Sequence, residues 1–359
     1  MLDQAADLHR KGELAAAEGL YLQVLKARPD HFDALQMLGF LRFEQGRFLE
    51  ALSVMGSALK TNPNSPNGLL NYAVVLDALR RREEAIAYYD KALAIKPDYA
   101  EALFNRGIAL HRLKRPAEAL SSFDRVLAIR PHDADAHDHR GHALRDLKRS
   151  AEAVASYDRA LAIRPHDADF LNHRGSALRD LSRTAEALAS YDRALALRPD
   201  HVEALNNRGS ALRNLNRAAE AIASYDKVLA LNPNDAGALY NRGNALQDLK
   251  RLAEALASYD QAVRLRPDYV EALNNRGSAL QNLKRSAEAL ASFDRALALR
   301  PDHVEALNNR GNALLELKRP AEALASYDMA LAIKPDYTEA LFNRGIALRN
   351  LRRPAVVNV

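Results

Sequence analysis

Apolar residues recur three and four positions apart along this chain, in blocks that restart every 34 residues. The block from Val270 to His303 shows the pattern. Leu273, Leu280 and Leu283, with Gly277 between them, have the spacing of one face of a helix. Ala287, Ala289, Leu290, Phe293, Ala296, Leu297 and Leu299 repeat that spacing in a second helix. The polar stretch Asn282–Ser286 predicts the turn between them, with Ser286 as the residue that caps the second helix. Pro116 and Pro320 stand at the same repeat position, where a first helical turn tolerates proline. Pro301 predicts the stop of the second helix. Asp302 with Glu305 predicts a capping box that opens the next one, as do Asp98/Glu101, Asp200/Glu203, Asp268/Glu271 and Asp336/Glu339.

The joint is copied along the chain. Pro29, Pro63, Pro97, Pro131, Pro165, Pro199, Pro233, Pro267, Pro301 and Pro335 fall 34 apart. A period of this length means stacked supersecondary units. Glycines from Gly107 to Gly345 mark the middle of the first helix, and alanines from Ala119 to Ala323 mark the second. A glycine inside a helix costs up to about 1 kcal/mol against alanine, so its repetition predicts a close approach between helices. The large partner is the aromatic at Phe123, Tyr157, Tyr191, Tyr225, Tyr259, Phe293 and Tyr327.

At these small, aromatic and proline positions the chain resembles the tetratricopeptide repeat (TPR) family over almost its full length. The resemblance implies an all-α fold, a right-handed superhelical solenoid of about ten helix-turn-helix repeats. Two positions depart from the family pattern. Arginine precedes the first-helix glycine, as at Arg106, Arg140 and Arg276, where an apolar residue is usual. Its stem is expected to pack between helices while its head reaches a carboxylate. Leucine replaces a common tyrosine at Leu110 and its equivalents.

In chain order the expected organisation is a partial repeat at 1–31, two diverged repeats at 32–99, seven regular repeats at 100–337 and a partial repeat at 338–359. Met55 stands at the aromatic position and Ala73 at the glycine position of the diverged pair. The segment 338–351 reads as a first helix followed by an irregular tail, so Leu341, Ile346 and Leu348 lack the second helix that would cover them. That reads as a truncation, the alternative being a natural end that caps itself on a partner.

Composition narrows the function classes. Charged residues of both signs are interspersed, with a net charge of +5, so no basic face for nucleic acid is expected. The absence of cysteine excludes disulfides and thiolate metal sites. No apolar run approaches the length of a membrane span, and no leader segment is visible, so a cytoplasmic protein is expected. Phosphate-binding loops, nucleophile elbows and zinc-protease motifs are all missing, and no catalytic residue or cofactor is expected.

The candidate binding residues follow from the resemblance, which implies that first helices line a concave groove. The sixth position of each unit would face it: Asn71, Asn105, His139, His173, Asn207, Asn241, Asn275, Asn309 and Asn343. An amide is donor and acceptor at once, so a column of amides fits the backbone of an extended peptide. The same residues could instead serve only local structure. The column is similar to that of O-linked N-acetylglucosamine transferases, including SPINDLY-like proteins. That likeness implies the alternative of a substrate-recognition arm lacking its catalytic domain. The other well-known TPR mode, a grip on C-terminal carboxylates, needs a lysine at the fifth position, where this chain has residues such as Phe104, Asp138 and Tyr240.

One histidine cluster stands out. His137, His139 and His142 lie within six residues, with His132 upstream, Asp135 and Asp138 nearby, and His173 one repeat later. Imidazole and carboxylate suit zinc or nickel, whereas the simpler reading is that histidine replaces asparagine as a groove contact. The simpler reading is taken, and no metal is expected. The expected partner is a protein or peptide segment, with self-association through the 338–351 helix as a further possibility.

Overall fold

The computed structural model describes residues 1–352, which form helices and no strand. The chain divides into two compact units, Met1–Ser182 and Arg183–Val359. The first holds α1 (Leu2–Arg10), α2 (Leu14–Ala27), α3 (Phe32–Glu44), α4 (Phe48–Thr61), α5 (Pro66–Ala78), α6 (Arg82–Ile95), α7 (Ala100–Arg112), α8 (Pro116–Ile129), α9 (Ala134–Asp146), α10 (Ser150–Ile163) and α11 (Ala168–Asp180). The second holds α12 (Thr184–Leu197), α13 (Val202–Asn214), α14 (Ala218–Leu231), α15 (Ala236–Asp248), α16 (Leu252–Leu265), α17 (Val270–Asn282), α18 (Ser286–Leu299), α19 (Val304–Glu316), α20 (Pro320–Ile333) and α21 (Thr338–Arg352). Within each unit every helix packs on the next, which makes the fold an all-α solenoid of tandem repeats.

The glycine does what its repetition predicts. A Cβ built on Gly277 would lie 2.5 Å from Cε1 of Phe293, and one on Gly107 would lie 2.6 Å from Cε1 of Phe123. The ring lies against bare backbone and is fully buried, a contact that stabilises by roughly 2–3 kcal/mol per ring. Met55 fills the same place against Gly39. The core then continues from one repeat into the next. Leu239, Val263, Val270, Leu273, Ala296 and Ala306 form one cluster that runs from α15 to α19.

The turn inside each repeat closes with a left-handed residue. Lys284 has φ 62°, and the Arg285 N–H donates to the Leu280 carbonyl at 2.9 Å, the Schellman closure of a helix end. Lys114, Lys148, Lys250 and Lys318 adopt the same conformation, and among the described residues only Gly12 and Gly46 do so without a side chain.

Both predicted caps need correction. Ser286 is the first residue inside α18, not its cap, and its hydroxyl donates to Glu316. The cap is Arg285, whose guanidinium grips Glu288 through two bonds of 2.7 Å. Glu288 thus sits at the positive end of the helix dipole, paired with a cation. Asp302 is not the cap of α19 either. His303 is, with Nδ1 accepting from Ala306 N–H at 3.1 Å. The turn after Pro301 takes one more residue than a capping box at Asp302 allows. Asp133, Asp167 and Asp235, at the true cap position, do cap their helices.

The arginine before the glycine reaches its carboxylate as expected. Arg276 Nε donates to Asp260 at 2.6 Å, and Nη1 donates to Ser292 at 2.5 Å. Asp260 belongs to α16 and Ser292 to α18, so each arginine clamps two successive second helices to one first helix. Arg106, Arg140, Arg242 and Arg310 repeat both bonds.

In α21, Leu341 is 50% and Phe342 69% exposed, while Ala347 is buried. The tail expected after it, 353–359, lies outside the described residues. Among the described residues no helix is long and apolar enough to cross a membrane.

Candidate functional site

First helices of successive repeats touch within each unit, as α7 does α9 and α17 does α19. Within each unit, no two second helices touch among the described residues. First helices thus approach one another more closely than second helices do within each unit. All nine sixth-position residues are half-buried.

The amides in this column face one repeat back. Asn309 Nδ2 donates to Asn274 Oδ1 at 3.1 Å, Asn343 Nδ2 to Asn308 Oδ1 at 3.1 Å, and Asn71 Nδ2 to Gln36 Oε1 at 3.1 Å. Asn275 Nδ2 donates to Asn244 Oδ1 at 2.8 Å, where the buried Tyr259 hydroxyl also donates. These donors are spent on the preceding repeat. No hydrogen bond within the described residues reaches the Oδ1 of Asn71, Asn309 or Asn343. Asn105 and Asn241 make no side-chain hydrogen bond there, so their whole amides remain available. The column thus presents acceptors at some repeats and complete amides at others.

The histidines take different surroundings once folded. His132 is exposed at the joint, and Asp135 pairs with Arg164. His137 is buried on another face, and its Nε2 bonds the Pro131 carbonyl at 3.0 Å. Burial holds the His137 and His139 imidazoles below their usual pKa. His139 packs flat on Phe123 and edge-on to Phe104, with centroids 5.6 and 5.3 Å away. The helix turn that sequence spacing assigns to His139 and His142 together does not join them in one polar contact.

Asp138 is the hub instead. It is 6% exposed, with Oδ1 at 2.8 Å from His173 Nδ1 and Oδ2 at 3.3 Å from His142 Nε2. Burial alone would raise the Asp138 pKa. The hydrogen bonds from His142 and His173 more than reverse it and hold the carboxyl well below the usual range. The two imidazole centroids are 4.3 Å apart. His142 also forms a wall of a cleft of about 500 Å³ lined by His111, Arg145, Asp146 and Asp180. Sequence reading missed Asp138 as the centre. The available signals were its four-residue spacing from His142 and its 35-residue offset from His173, one more than the repeat.

Comparison with known proteins agrees with this architecture. A family profile described as tetratricopeptide repeat matches residues 2–66, 73–134, 122–168, 139–202, 173–236 and 274–338. Related repeat profiles match 42–103, 224–257 and 243–284. Among solved structures, a tetratricopeptide repeat protein from Parabacteroides merdae is 19% identical, covering 69% of this chain and 98% of its own, with TM-score 0.55. PilW, described as a type IV pilus biogenesis factor, is 21% identical, covering 58% and 97%, with TM-score 0.54. YrrB, described as a TPR protein with an unusual peptide-binding site, is 26% identical, covering 53% and 97%, with TM-score 0.46.

Proposed function

This chain belongs to the tetratricopeptide repeat family, and from that premise we propose that it is a non-catalytic, cytoplasmic scaffold that binds extended peptide segments along its first-helix faces. The amide column carries the reading. It offers unused carbonyl acceptors at Asn71, Asn309 and Asn343, and complete amides at Asn105 and Asn241. An extended peptide has one N–H and one C=O per residue to pair with such groups, whatever its side chains. Selection from a displayed library of short random peptides, followed by fluorescence anisotropy, supplies the ligand. Replacing Asn207, Asn241, Asn275 and Asn309 together by alanine is expected to abolish its binding with helical circular dichroism retained. Unchanged affinity would overturn the proposal.

The alternative, a recognition arm of a SPINDLY-like O-GlcNAc transferase, rests on the same column. It predicts that the selected peptides resemble serine- and threonine-rich acceptor segments.

A further inference from the structure

We propose that Asp138, His142 and His173 form a binding site for one divalent cation of the zinc class, with one coordination position left open. The three side chains offer ligand atoms that all lie within 4.8 Å of one another. Two imidazoles and one carboxylate are ligands that zinc, cobalt and nickel accept, at roughly 2.0–2.2 Å for zinc. Three protein ligands leave a fourth position for water or a ligand atom from outside.

Comparison among the chain's own repeats sharpens the case. The same three positions one unit apart are held elsewhere by Asn274, Ser278 and Asn309, which join through bonds of 3.1 and 3.5 Å from Asn309 Nδ2. That neutral triad satisfies the ordinary structural need. Only at Asp138, His142 and His173 are all three replaced by metal-ligating side chains. The replacement buries a carboxylate, which is costly without a compensating charge. Among the described residues no lysine or arginine pairs with Asp138. Nearby Arg145 is engaged by Asp180 at 2.9 Å, and His111 lies 2.9 Å from Asp146. A cation held by Asp138 and the two rings would set a full positive charge beside the carboxylate that the imidazoles now serve only by hydrogen bonds.

Local groups suit that role. Each imidazole already turns a nitrogen toward the carboxylate, at 2.8 and 3.3 Å. A shift of the ring proton to the other nitrogen leaves a lone pair facing the site. Tyr157 packs edge-on to His142, with centroids 5.7 Å apart. Its buried hydroxyl lies near Arg145 without a hydrogen bond of normal geometry, and it is a candidate partner for a metal-bound water.

The test titrates the untagged full chain with zinc chloride by calorimetry, and with cobalt chloride by visible absorption. One saturable equivalent and cobalt d–d bands are expected. The variant H142S/H173N installs residues that other repeats carry at these positions, as Ser278 and Asn309 do, and should weaken binding by about 100-fold or more. D138N, which copies the asparagine found at the equivalent position 274, should weaken it as well. Absence of saturable binding, or equal affinity in H142S/H173N, would overturn the proposal. Nitrogen NMR of the wild-type imidazoles gives a readout that does not depend on a variant folding. Zinc must shift the ring nitrogens of His142 and His173. Shifts confined to other histidines, such as His201 and His303, would refute the site.

Discussion

A single missing methyl group sets how closely two helices approach in each repeat. Gly277 lets the Phe293 ring rest on α17, and any Cβ there would sit 2.5 Å from the ring. Around Gly345 nothing lies within 4 Å. The two glycines share a repeat position, so they separate packing from helix propensity. Gly277→Ala is expected to destabilise by roughly 1–2 kcal/mol, because overpacking outweighs the gain in propensity. Gly345→Ala should stabilise α21 by up to about 1 kcal/mol, since only propensity changes. Urea denaturation reports the first, and amide exchange in α21 the second. Equal signs at both positions would show that the ring contact does not decide the glycine.

At the scale of the helix and its ends, the joints hold the repeats in register. His303, one residue after Asp302, caps α19, and Arg285 with Glu288 closes the start of α18. The left-handed turn residue carries a cost. A non-glycine residue in that conformation loses roughly 1–2 kcal/mol to contact between Cβ and backbone. Gly12 and Gly46 avoid it, and Lys250 at φ 60° does not. Lys250→Gly is expected to stabilise by about 0.5–1 kcal/mol after the greater freedom of glycine in the unfolded chain is set against that relief. A raised denaturation midpoint with unchanged slope checks it, and a lower midpoint would show that the lysine side chain contributes more than its backbone loses. The arginine clamps act at this scale too. Each joins three helices, so a repeat is held to its neighbour by polar contacts as well as by the shared core.

Within each unit a helix touches only its own repeat and the adjacent ones, so the stability of each unit is expected to behave as a chain of nearest-neighbour couplings. Among the described residues α21 meets no successor, and its Leu341, Phe342 and Leu351 are exposed. Self-association through this face predicts a mass that rises with concentration in sedimentation. Phe342→Glu should suppress that rise without altering helical content. A constant monomer mass at high concentration would rule the contact out.

Much of the fold is legible before folding is considered. The proline and glycine register sets the helix boundaries because breakers and close-packing positions are local demands on each residue. The aromatic against glycine and the arginine beside a carboxylate follow from the same register. The caps are less legible, since a shift of one residue in the turn moves the capping role from Asp302 to His303. The site is least so. The sequence alone determined that a polar column of asparagine and histidine runs at the sixth position. Only the tertiary structure decided that Asn309 spends its donor on Asn274, that His139 packs against aromatic rings, and that Asp138 meets His173 across 35 residues. The physical reason is that side-chain pairing between repeats depends on their stacking offset, which turns the sixth residue of one helix toward the fifth of the one before.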